Sequence, residues 1–135
     1  MSELADEIAQ LLDGATDKLD GAAEIIGYAG CSSKAADLAY NGVGDALNLA
    51  TKAYLRSRGQ VGLRERPAKS LLQDVMRQLH RSGVRPLPDE DALATIIDER
   101  NGSVHEGAAS ASELATVADA IAVVREYVAL IRRYP

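Results

Sequence analysis

Tryptophan and phenylalanine are absent from this chain, and cysteine occurs once. With no large carbocyclic side chain other than tyrosine, any core must be built from Ala, Leu, Ile and Val. Those residues favour helices where Ala and Leu dominate. A lone Cys31 excludes an internal disulfide and supplies too few ligands for a structural zinc site. It lies between Gly30 and Ser32 at an expected helix boundary, where an inert thiol is the reading preferred over a nucleophile. Long apolar runs are missing too, and nothing approaches the roughly 20 residues a membrane-spanning helix requires. Met1-Ser2-Glu3-Leu4 has no basic stretch ahead of an apolar one, so no secretory signal is read there. The cytoplasm is the expected compartment.

Apolar residues make up 47% of the 135 positions, enough for one domain spanning 1–135 with one core. The net charge of −5 is unevenly spread. Residues 1–51 carry nine acids and two bases, residues 52–85 carry nine bases and two acids, and residues 86–135 carry nine acids and four bases. The basic middle third either attracts phosphate or pairs with acidic segments of its own fold or of a second copy.

Apolar spacing is helical throughout. Leu4, Ile8, Leu11, Ala15, Leu19, Ala22 and Ile26 mark a long first helix. Gly27 to Ser33 is a break in which Ser32 or Ser33 caps the next helix. Tyr40, Val43, Leu47, Ala50 and Tyr54 mark that second helix, expected to end at Arg58-Gly59. Gln60 to Arg66 reads as a polar loop before Pro67 opens a third helix on Leu71, Leu72, Val75, Met76 and Leu79, closed by Ser82-Gly83. After the stiff Pro86-Leu87-Pro88 linker, Asp89, Glu90 and Asp91 start a fourth helix with Leu93, Ile96 and Ile97 on its core face. That helix is expected to end near Gly102. Ser110 and Glu113 form a capping box for a fifth, whose seam runs Leu114, Val117, Ile121, Val124, Val128, Ile131. The expected fold class is therefore all-α, an antiparallel bundle of four main helices plus a short fifth.

Familiar catalytic patterns are missing. There is no glycine-rich phosphate loop after a strand, and His105-Glu106 lacks a second histidine where Ala109 stands. No metal and no cofactor are expected. What remains is the hexapeptide Arg100-Asn101-Gly102-Ser103-Val104-His105, placed by the expected break at Gly102 near an irregular junction. On one unbroken helix positions 100 and 105 would stand about 140° apart, so a break or a second subunit is needed to bring them together.

The pattern of an arginine, a polar residue and a histidine after four intervening positions resembles the HEPN superfamily, the helical domains of many prokaryotic defence and toxin ribonucleases. The resemblance extends to the segment from Ala46 to Gly59, which looks like that family's second helix, and to the placing of the motif in the second half of the chain. It implies an HEPN-like bundle and metal-independent RNA cleavage, in which a 2′-hydroxyl attacks the adjacent phosphodiester. It also implies a homodimer with facing motifs and a possible nucleotidyltransferase-type antitoxin or effector partner. Arg100 would hold phosphate oxygens, His105 would take or give a proton, and Asn101 would orient the phosphate or the ring. Some members carry, two residues after the histidine, a tyrosine that a nucleotidyltransferase modifies. Here that position is Gly107, so the resemblance does not extend to that route of control. From the residues alone, plainer readings stand beside this one. Arg100 could pair with Asp98 or Glu99, His105 could cap a helix end, and Asn101-Gly102 is an ordinary turn dipeptide. His80, between Arg77 and Arg81, reads as a solvated helix residue that could touch RNA as part of the basic segment.

Overall fold

The computed structural model describes residues 2–28, 32–106 and 114–134, with the side chains at 2, 33, 100–106, 114 and 115 outside that description. Helices α1 (Ser2–Gly27), α2 (Ser33–Ser57), α3 (Ala68–Arg81), α4 (Glu90–Glu106) and α5 (Leu114–Arg133) make up the chain, with a 3-10 turn at Leu63–Glu65. No strand occurs among the described residues.

Local chemistry sets the ends. The Ser32 hydroxyl accepts from the Ala35 amide at 3.1 Å and caps α2. Gly59, at φ 85°, and Gly83, at φ 78°, take the left-handed conformation that turns the chain out of α2 and α3. Asp89 Oδ1 accepts from the Ala92 amide at 3.1 Å at the start of α4. Pro67 sits at the N-cap of α3, one residue before the first turn in which it was expected.

Side-chain pairs fix the directions. Glu7 meets Arg56 and Lys18 approaches Asp45, so α1 and α2 run antiparallel in one register. Asp13 meets Arg132 and Asp20 meets Arg125, making α5 antiparallel to α1. Thr51 bonds Tyr127 and Arg58 donates to the Tyr134 carbonyl, both 76 positions apart, so α5 runs parallel to α2. The bundle is therefore not antiparallel at every contact. The α1/α2 register also explains why Leu4, expected on the core stripe, is 42% exposed. It faces position 59, past the end of α2.

One apolar cluster joins all five helices. Small residues (Ala15, Ala22, Ala36, Ala39, Ala46, Ala50 and Ala53) let the backbones approach, while Tyr40, Tyr54 and Tyr127 supply the bulk that Phe and Trp would otherwise give. Each fully buried Leu, Ile or Val contributes about 1.5–3 kcal/mol relative to exposure. Inside the expected polar loop, Leu63 is buried on the 3-10 turn and pins the connection to the core. No helix of the described residues is long and apolar enough to cross a membrane.

Candidate functional site

The last two turns of α4 carry Arg100, Asn101 and His105. The helix reaches them by way of a core face. Leu93, Ile96 and Ile97 are buried, so α4 packs on α2 and α3 for its first half. Two side-chain bonds then hold it at the positions just before the motif. Tyr40 on α2 donates from its phenol to Glu99 Oε2 at 2.9 Å, and Lys69 on α3 donates to Asp98 Oδ2 at 3.3 Å. Burial, reinforced by the Glu99 carboxylate, pushes the Tyr40 phenol above the usual tyrosine range. Its proton therefore stays on, as donor to Glu99.

The expected helix end near Gly102 is corrected by the structure. The backbone continues as one α-helix through Asn101-Gly102 to Glu106. Glycine costs only about 1 kcal/mol in a helix interior, and propagation adds one hydrogen bond per residue to a helix already nucleated and packed. Arg100 and His105 therefore belong to one helix, not to two sides of a junction. Five positions on a continuous helix place their backbone attachments about 140° apart around its axis. Within one chain the backbone does not bring them onto a common face. The side chains of Arg100, Asn101 and His105 lie outside the described residues, as do Cys31, Gly107 and the Ser110/Glu113 capping box. Asp98 and Glu99, the acids nearest Arg100 in sequence, already have partners on α3 and α2.

The basic middle third is partly matched by acids. Arg56 grips Glu7 with two bonds, Nε to Oε1 at 3.0 Å and Nη2 to Oε2 at 3.1 Å. Their hydrogen bond holds the Glu7 carboxyl below its ordinary range and raises the guanidinium. Arg66 and Arg77 share Asp74, an acid of the same segment, at 3.1 and 3.3 Å. His80 is exposed on α3, with Nδ1 3.5 Å from Arg85 Nη2.

Two polar contacts had no sequence signal strong enough to find them. The Tyr40–Glu99 bond joins residues 59 positions apart. Thr51, 2% exposed, sits one turn after Leu47 on the buried side of α2, outside the apolar spacing that marks that helix. Its hydroxyl donates to the Leu47 carbonyl at 2.8 Å and, having one proton, accepts from the Tyr127 phenol at 2.8 Å. Burial raises the Tyr127 phenol as well.

Clefts open on the described surface between α1 and α2, between the 84–89 segment and α5, and beside the 3-10 turn. Residues of α4 line none of them. Among the described residues no three His, Cys, Asp or Glu side chains gather in a way that would hold a metal ion. No family model, no curated protein and no solved structure matches the chain.

Proposed function

We propose that this chain is a metal-independent endoribonuclease of the HEPN type, a cytoplasmic toxin or antiviral effector acting as a homodimer on RNA. The observation that carries the reading is the Arg100-Asn101-x-x-x-His105 pattern at the end of α4, just beyond the two side-chain bonds that anchor that helix. His105, an imidazole, removes the proton from a ribose 2′-hydroxyl. The 2′-oxygen then forms its bond to the adjacent phosphorus as the bond to the 5′-oxygen breaks. The 5′-oxygen takes up a proton from solvent or a second imidazole, leaving a 2′,3′-cyclic phosphate. Arg100 holds the phosphate oxygens and stabilises the charge that builds on them, and Asn101 orients the phosphate or the ring.

The continuity of α4 favours a site shared between two copies. With positions 100 and 105 about 140° apart on one axis, the arginine of one copy and the histidine of its partner meet a phosphate most readily across facing helices. Mixing Arg100→Ala with His105→Ala protein tests this directly. Shared sites predict partial recovery of cleavage in the mixture, because half of each hybrid dimer's sites are intact. No recovery, with both variants folded and dimeric, contradicts it. A protein that never cleaves RNA but forms a stable complex with a nucleotidyltransferase-type partner would instead be a non-catalytic module of the same class.

A further inference from the structure

The outer face of α3 carries bases at its start and along its last turns, and no exposed acid. Lys69, Gln73, Arg77, His80 and Arg81 recur at intervals of three or four and are all exposed, and Arg85 follows just past the helix. The opposite face, Leu71, Leu72, Val75, Met76 and Leu79, is buried. From Arg66 to Arg85 there are five bases and a single acid, in a chain whose net charge is −5. That acid, Asp74, is only 17% exposed and is occupied by Arg66 and Arg77. Among the described residues Arg81 and Arg85 have no carboxylate within ion-pair distance; Arg85 donates to the Val84 carbonyl and approaches His80. Lys69 and Arg77 are thus matched by Asp98 and Asp74, while the charge of Arg81 and Arg85 at the far end of the face is left uncompensated among the described residues.

Two features say what fits it. No large apolar side chain is exposed on α3; among the described residues those that are lie at Leu4, Tyr28, Leu38, Val61, Leu87 and Tyr134. A protein partner would need an apolar or aromatic anchor, whereas a phosphate backbone needs only cations. The stripe is also linear, about 18 Å from Lys69 to Arg81, so it can face several consecutive phosphates of one strand. Its first residue, Lys69, bonds Asp98, two positions before Arg100 on α4.

We infer that the outer face of α3 is a phosphate track that binds single-stranded RNA and leads it to the end of α4. The choice of RNA rests on the ribonuclease reading, so binding is measured apart from cleavage. His105→Ala protein is titrated into a fluorescently labelled single-stranded RNA in chelator at several salt concentrations, and compared with the same protein also carrying Arg77→Gln and Arg81→Gln. Glutamine keeps helix propensity, and circular dichroism confirms the fold. The track predicts binding weaker by about tenfold and a salt slope smaller by about 0.7 for each cation removed. Arg133→Gln, an exposed arginine on α5, should change neither. Equal binding by the parent and the Arg77/Arg81 variant overturns the track, as does equal weakening by Arg133→Gln or no binding by the parent. The ribonuclease reading fails by a different sign, cleavage by the otherwise native protein that His105→Ala leaves unchanged.

Discussion

The phenol of Tyr40 on α2 bonds the carboxylate of Glu99 on α4 at 2.9 Å, one residue before Arg100. The bond ties the start of the motif to a tyrosine that is itself 1% exposed. Removing it with Tyr40→Phe should lower unfolding stability by about 1.5–3 kcal/mol, the range for hydrogen bonds to charged groups. Denaturant unfolding followed by circular dichroism measures it. A loss under half a kcal/mol, as for a typical surface change, would mean the bond does not hold α4.

The other two buried tyrosines should respond in opposite ways. Tyr127→Phe and Thr51→Val each remove one half of a buried hydroxyl pair and are expected to cost about 1–3 kcal/mol, with the double variant costing less than the sum. The hydroxyl of Tyr54 is buried with no hydrogen-bond partner, so Tyr54→Phe should leave stability unchanged or raise it. A double-mutant cycle with the Tyr54 variant alongside checks both statements.

Alkaline pH should destabilise the fold through Tyr40 and Tyr127, whose phenols burial holds above the usual range. As pH rises past about 10 the unfolded chain releases those protons while the folded chain keeps them. The folded state then binds more protons, so stability falls with further rise in pH. Phenolate absorbance during alkaline titration should show two late-titrating groups, and Tyr40→Phe and Tyr127→Phe should each remove one.

Glu7 behaves with the reverse sign. Its carboxyl is held low, chiefly by the hydrogen bond from Arg56, so its contribution is present above the ordinary glutamate range and is lost as pH falls through the depressed value. Carboxyl resonances followed by nuclear magnetic resonance should place the Glu7 midpoint below that range. Arg56→Gln should move it upward. A midpoint indifferent to that substitution would show that the bond is not formed in solution.

Periodicity carried most of the fold. The turn out of α2 at Gly59, the amphipathic α3 and the seam of α5 all follow from local rules that the packing obeys. Four features escaped for identifiable reasons. Leu63 is a single apolar residue without a repeat, so it could not be told from a loop residue until the core closed over it. The passage of α4 through Asn101-Gly102 overrides a weak local preference. The parallel course of α2 and α5, and the Tyr40–Glu99 bond, depend on pairings across long stretches of chain that no local pattern encodes. Of the candidate site, Arg100, Asn101 and His105 are read from the sequence alone, whereas the unbroken helix beneath them follows only from the backbone.

The most direct test of the proposed function is the product of one reaction: single-stranded RNA incubated in chelator with the native protein and with His105→Ala, its fragment ends read by mass spectrometry. Cleavage by the native protein alone, leaving 2′,3′-cyclic phosphate ends while His105→Ala keeps native helicity, is the result predicted. Cleavage that chelator abolishes, or that His105→Ala performs equally well, would contradict it.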